Sequence, residues 1–218
     1  MIHFRSPLNL VLLAIGLAAT IAGFLFVPMN LDLPVHWGLN GQVDGMLPRN
    51  WALLQLPVIV TSIWALFWAI ARYGNKERQQ ASTYVLNVAL TAITGLMVLI
   101  QILIVLVGLG VAVDVVKALV IGIALMQVAL GNIMPKSQPN SVAGIRIPST
   151  LNDAANWQAT HRLTGLLLIA GGVALFVTAL LVPASPALIL AILASILVPL
   201  LLGSIYSLVL AARVRRSV

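Results

Sequence analysis

Residues 8–27 read LNLVLLAIGLAATIAGFLFV, twenty in succession without a charge. A helix rises about 1.5 Å per residue, so about 20 apolar residues cross the hydrocarbon core of a bilayer. That stretch therefore reads as a membrane-spanning helix. Working outward from it, five more apolar stretches appear at 51–71, 83–106, 117–134, 163–182 and 187–212. The turn between the third and fourth must fall between Gly108 and Lys117, because Asp114 and Lys117 would each cost about 2.5 to 3.5 kcal/mol at mid-bilayer. The composition agrees: 61% of the 218 residues are hydrophobic and 8% charged, with a mean hydropathy of +1.09. Soluble domains are about 45–50% apolar and about a quarter charged, so the chain is excluded from that class and from the disordered and collagenous ones. With no cysteine there is no disulfide, thiol nucleophile or thiolate metal site.

The expected fold is an all-α polytopic membrane protein, residues 1–218 forming one six-span domain. The opening Arg5 and apolar run imitate a secretory signal, but twenty apolar residues exceed the roughly 7 to 15 of a cleaved one, so a retained anchor is expected. With the N-terminus inside, Arg5, Arg72, Lys76, Arg78, Lys136, Arg146, Arg162, Arg213, Arg215 and Arg216 face the cytoplasm. Only Arg49 and Lys117 remain outside, which satisfies the positive-inside rule and accounts for the +7 charge without nucleic acid. Both termini are then cytoplasmic. Trp51, Tyr73 and Tyr84 fall where interfacial aromatic belts form. Pro199, inside the sixth span, removes the bond to the Ser195 carbonyl and predicts a kink there, whereas Pro57 lies near the outer end of the second. Ala18, Ala19, Ala22, Gly23, Gly165, Gly171 and Gly172 permit close helix approach.

Two connections are longer than connection requires, and function is sought there. The outer loop, 28–50, contains LPVHWGLNGQVDG (33–45). Its Asn40-Gly41 pair suits a type I′ turn joining strands 35–39 and 42–47, with Asp44-Gly45 as a second turn signal. His36, Asp32 and Asp44 are the metal-capable residues of this loop, but their spacing matches no finger or helical motif. The expectation is no metal, with His36 bonded to a turn carbonyl and the aspartates capping turns.

The inner loop, 135–162, reads PKSQPNSVAGIRIPSTLNDAANWQATHR. Its prolines make the first half extended or turning. The second half reads as a helix, N-capped by Ser149 or Thr150 and running directly into the fifth span. Asp153, Trp157 and His161 recur at four-residue steps and share a face. Asp153 and His161 are about 12 Å apart along the axis, too far for an acid–base pair. No G-x-S-x-G, HExxH or P-loop is present. Arg146, between Gly144 and Pro148, divides evenly between bracing the loop and recognising an anion.

These loops resemble the SdpI family of bacterial membrane proteins. Residues 131–165 follow its signature G-N-x-M-P-K, then N, then G-I-R-T-P-W-T-L, then W-x-x-T-H-R-x-x-G. The outer segment is similar to the P-x-H-x-N-x-x-G-x-x-D-G-like stretch that often precedes it. Ile147 and Ser149 stand where the family usually has Thr and Trp, and Gly38 where it often has Asn. The resemblance implies a non-enzymatic immunity protein of the bacterial inner membrane. Its implied partners are the bilayer, a secreted membrane-active peptide toxin and a cytoplasmic transcriptional repressor, with no direct nucleic acid and no cofactor. It carries a ligand- or partner-binding role to Pro34, His36, Gly41, Asp44 and Gly45 outside. Inside, it carries one to Asn140, Gly144, Arg146, Thr150, Trp157, His161 and Arg162. Two alternatives stand beside it: a small transporter or channel lined by Asn87, Gln101, Gln127 and Asn132, or an enzyme at a membrane face.

Overall fold

The computed structural model describes residues 3–38, 40–73, 76–140 and 142–216, with side chains throughout these ranges except at 76–80 and 215–216. Leu39, the expected end of the first strand, and the side chains of Lys76, Arg78, Arg215 and Arg216 lie outside the described residues.

Six long helices are apolar and long enough to cross a membrane. They are α1 (Pro7–Phe26), α2 (Arg49–Tyr73), α3 (Lys76–Gly108), α4 (Val115–Ile133), α6 (Ala154–Leu181) and α7 (Pro186–Arg216), with a one-turn α5 (Pro148–Leu151) before α6. In hydrocarbon every backbone polar group must be paired within the protein, and a helix achieves this along its whole length. Leucines such as Leu17, Leu25, Leu166, Leu181 and Leu201 are exposed along the barrel of the bundle. That exposure suits lipid as the surrounding solvent.

Capping residues fix the ends. Ser6 precedes Pro7 at the first helical position of α1, and its Oγ accepts the Asn9 N–H at 3.2 Å. Asp114 does the same for α4, accepting the Lys117 N–H at 2.9 Å. The turn between α3 and α4 thus falls where the buried-charge argument placed it. At the other end of α1 the last carbonyls have no helical donors, and the Arg49 guanidinium, 4% exposed, donates to the Phe24 carbonyl. It also lies 5.4 Å from the Phe24 ring centroid. A cation at a helix C-terminus meets the negative end of the dipole, so Arg49 straps α1 to α2.

Packing divides into two groups of helices. α1, α2 and α3 share a core of Val27, Leu53, Leu56, Ile104 and Val105, and α4, α6 and α7 share one of Val120, Ala124, Leu175, Ala179 and Leu188. Small residues set the second group's spacing. A Cβ on Gly165 would meet the Gly131 carbonyl, one on Gly172 the Ala124 carbonyl, and one on Gly171 the Ser195 carbonyl. The helices therefore approach backbone to backbone. Gly122 against Leu96 and Leu99 joins α4 to α3.

Both in-span prolines are repaired by a neighbouring helix. Pro57 leaves the Leu53 carbonyl without its helical donor, and Gln101 of α3 supplies one through Nε2 at 3.2 Å. Pro199 frees the Ser195 carbonyl, and Gln127 of α4 donates to it at 2.6 Å. The Gln127 Nε2 also reaches the Leu168 carbonyl at 3.2 Å, while its Oε1 accepts from Ser195 Oγ at 3.0 Å.

Between α1 and α2 a hairpin covers one end of the bundle, with β1 (Asp32–Trp37) antiparallel to β2 (Val43–Pro48). β1 begins three residues earlier than the expected 35–39, and β2 lies one residue later than the expected 42–47. The expected two-residue type I′ turn is absent, because it requires positive φ at both central residues and Asn40 does not have it. Instead the Gly38 N–H closes on the Gln42 carbonyl at 2.8 Å and, among the described residues of the loop, Gly41 takes positive φ, at 77°. Asp44-Gly45 is strand, not turn: Gly45 pairs with His36 at an irregularity in the register. Two strands alone would be marginal, but Leu33 is fully buried against the helices. Gly41 also abuts Ala184 in the α6–α7 turn.

Candidate functional site

At the opposite end of the bundle from the hairpin, the segment between α4 and α6 folds into a plate of interlocked polar contacts. A 3-10 turn (Met134–Lys136) ends α4, and Ser137 Oγ donates to the Met134 carbonyl at 2.8 Å. Asn140 then builds a turn with its own side chain. Its Oδ1 accepts the Val142 and Ala143 N–H groups, both at 2.8 Å, and its Nδ2 donates to the Gln138 carbonyl. Thr150 is fully buried, with Oγ1 2.7 Å from the Ile145 carbonyl and 3.2 Å from the Ile147 nitrogen, whose N–H it accepts. These bonds shape the GIRIP turn from inside.

The helix that follows starts later than expected. Asp153, rather than Ser149 or Thr150, is the N-cap of α6, accepting the Ala155 and Asn156 N–H groups at 2.8 and 3.2 Å. A carboxylate spans two free N–H groups at a helix start better than a hydroxyl, and Thr150 is already committed. Ser149 instead joins a chain to α7: it lies 2.7 Å from Ser207 Oγ, which donates to Asn156 Oδ1 at 2.7 Å. Asn156 Nδ2 donates back to the Ser207 carbonyl at 2.9 Å, and Thr160 adds a bond to the same Oδ1.

Trp157 and His161 are both fully buried, their rings stacked at 4.0 Å with 16° between planes. One helical turn separates them, which is why four-residue spacing brings the rings face to face. Trp157 Nε1 donates to Ser137, with carbonyl and hydroxyl oxygens both at 3.2 Å. His161 Nδ1 lies 2.8 Å from the Trp157 carbonyl, and the Ile145 N–H points at Nε2 from 3.0 Å. A carbonyl only accepts and an N–H only donates, so the tautomer is fixed with hydrogen on Nδ1. Neither nitrogen is left for proton transfer or metal binding. Gly144 permits the arrangement: its φ is +114°, and a Cβ there would collide with His161 Nε2.

Thus Asn140, Gly144, Thr150, Trp157 and His161 come together, as bracing. Arg146 and Arg162 are different. Both are exposed, and among the described residues neither has a hydrogen bond, ion pair or ring contact. Each adjoins one partner of the Ile145–His161 bond in sequence, so two free guanidiniums flank the braced core. A fork of five N–H donors suits phosphate or carboxylate.

At the hairpin end, His36 Nδ1 lies 2.5 Å from Asp44 Oδ1, with side chains 72% and 53% exposed. This cross-strand pair replaces the expected turn-carbonyl bond. Asp32 pairs with Pro48 at the other end of the ladder, and among the described residues no group of three His, Asp or Glu can hold a metal. Pro34 and Gly41 line a cleft of about 260 Å³ with Trp37, Asp114 and Ala184, and His36, Asp44 and Gly45 do not. Exposed ion pairs contribute about 0–1 kcal/mol. Asp44→Asn should therefore shift the unfolding temperature little, and a large drop in a melting curve would contradict this account of the hairpin.

Several working residues escaped the sequence reading. Ser207, Asn156 and Ser137 carry the plate's bonds and Arg49 holds α1 to α2, while Gln101 and Gln127, singled out as polar lining of a path, instead hold the bundle together. A usable signal existed for the glutamines: each in-span proline frees a carbonyl in hydrocarbon, and a polar residue in another span must answer it.

Comparison with known proteins agrees with this layout. The SdpI/YfhL protein family model matches residues 136–207, the braced plate through most of α7, and a domain of unknown function, DUF1648, matches residues 11–61. The immunity protein SdpI of Bacillus subtilis (strain 168) is 20% identical over 168 residues, 77% of this chain and 78% of that protein. No solved structure matches. The chain is SdpI-like, a multi-pass protein of the bacterial cell membrane.

Proposed function

We propose that this SdpI-like protein is a non-enzymatic immunity protein that protects its host from a membrane-active peptide and signals inward through its motif end. The supporting observation is the plate itself, which lies within the matched region and whose buried members are committed to one another. A site built for catalysis would leave an acid, base or nucleophile free, and here the imidazole is bonded on both nitrogens. The excess of basic residues at the plate's end favours the cytoplasm for it and the outer surface for the hairpin. On this reading the hairpin end meets the secreted peptide. Arg146 and Arg162 offer a cationic surface to an acidic partner, such as a cytoplasmic repressor.

The transporter reading loses three of its four polar residues, because Gln101 and Gln127 serve proline-freed carbonyls and Asn87 accepts the His3 N–H at 2.7 Å. The decisive experiment deletes the gene and challenges cells with membrane-active peptides. Sensitivity should rise for at least one peptide; unchanged sensitivity together with an unchanged transcript profile would reject the proposal. Labelling of cysteines introduced at the exposed Val43 and Leu151 should find them accessible from opposite compartments.

The Arg146→Ala, Arg162→Ala double variant should fold normally, since surface changes usually stay within about 0.5 kcal/mol. It should lose the transcriptional response. A response equal to the parent's would remove the guanidiniums from the mechanism.

A further inference from the structure

A second candidate site lies in the seam between α6 and α7. There a furrow of about 390 Å³ is walled by Leu163 and Leu167 of α6 and by Leu202, Tyr206, Val209 and Arg213 of α7. The α7 residues recur at three- and four-residue steps, so a single stripe of that helix forms the wall. Leu202 and Val209 are exposed, which opens the furrow sideways toward lipid.

The furrow is charged at one end only. Arg213 follows Ala212, the last residue of the apolar run that makes the sixth span, and so stands where hydrocarbon gives way to headgroups. It is exposed, and with the described residues it makes no hydrogen bond, ion pair or ring contact. Leu202 lies about 16 Å from Arg213 along the helix axis at about 1.5 Å per residue, close to the roughly 15 Å that one leaflet contributes to the hydrocarbon core. Beyond Leu167 the seam continues as a second hollow past Ala170, Ala174, Ala191 and Ala194, with no charged residue in its walls. The trough thus has the length of one acyl chain and a cation at headgroup depth.

We infer that this furrow holds one acyl chain of an anionic phospholipid whose phosphate pairs with Arg213. A guanidinium fork at the mouth of an apolar trough complements a molecule with an apolar tail and an anion at one end. The same face of a second copy lacks that complementarity. The acidic residues of the chain are Asp32, Asp44, Glu77, Asp114 and Asp153, none of them within α6 or α7, so a symmetric pairing would bring cation to cation. The inference is independent of the immunity reading.

The test uses the full chain in vesicles of phosphatidylcholine and phosphatidylglycerol in equal parts, with a trace of either lipid carrying a diazirine on its acyl chain. The phosphatidylglycerol probe should label the furrow walls about fivefold more than the phosphatidylcholine probe, the effect of one basic residue at the surface. The exposed Leu8 and Leu10 of α1, beside Arg5 at the same end of the bundle, report the general attraction of anionic lipid to basic residues, and the excess there should be smaller. Arg213→Gln should lower the furrow's excess to the α1 level. Val209→Trp fills the trough, leaves Arg213 intact, and should reduce furrow labelling by both probes. An equal excess at the furrow and at α1 in the parent protein would overturn the inference, as would furrow labelling unchanged in both variants. Loss of the excess to inorganic phosphate, at the ionic strength of a chloride control, would also overturn it by showing a site for a free anion. So would furrow labelling that falls as the protein-to-lipid ratio rises, since a second copy would then be the occupant.

Discussion

Gly144→Ala should cost about 2–5 kcal/mol of stability, the sum of backbone strain at positive φ and the loss of a buried hydrogen bond. The new methyl would collide with His161 Nε2 and crowd Trp157, pushing the imidazole out of reach of the Ile145 N–H. With both rings fully buried, the stack has no solvent side toward which to shift. Gly110→Ala is the proper control, because Gly110 has φ +77° but nothing within 4 Å of where a Cβ would stand. It should show the strain alone, about 1 kcal/mol. Thermal unfolding in detergent measures both, and equal losses at the two sites would mean that the imidazole bond contributes nothing. Peptide resistance should fall with Gly144→Ala and survive Gly110→Ala.

The second large effect is expected at Gln127→Leu. That change strips the donor from the Ser195 carbonyl and from the contact with Leu168, and leaves Ser195 Oγ without one of its acceptors. Interhelical bonds in membranes measure about 0.6 to 2 kcal/mol each, so the loss should be about 1–3 kcal/mol. The diagnostic result is its reversal. Pro199→Ala restores an N–H four residues beyond Ser195, so the double variant should recover most of the loss although Pro199→Ala alone changes little. A double-mutant cycle on the unfolding free energy gives the coupling directly. Additive effects would show that Gln127 is merely a packed amide.

Much of the fold was legible because hydrocarbon admits few alternatives. The lengths of the apolar runs located the six spans. The placement of Asp114 and Lys117 located the hardest turn, since both would be costly in the bilayer. Less of the site was legible. The four-residue spacing of Trp157 and His161 put them on one face and their separation from Asp153 excluded a pair, but burial converted that face into a brace. Asn40-Gly41 misdirected the hairpin reading, because a dipeptide preference is weak beside the constraint of laying Leu33 against the helices and Gly41 against Ala184. Arg146 could not be assigned from sequence, since a guanidinium there could brace the loop or stand free; it is exposed and makes no hydrogen bond or ion pair with a described residue.

The sequence by itself determined that this is a six-span membrane protein with its polar chemistry concentrated at two ends, because transfer of charge and backbone into lipid depends on local composition alone. Only the tertiary structure decided which polar residues are consumed by the fold. Gln101 and Gln127 meet carbonyls 48 and 68 residues distant in the chain, and His161 meets an N–H across a turn that exists only when Gly144 has folded. A hydrogen bond is satisfied by whatever packing brings within about 3 Å of it, and that proximity is a property of the whole bundle.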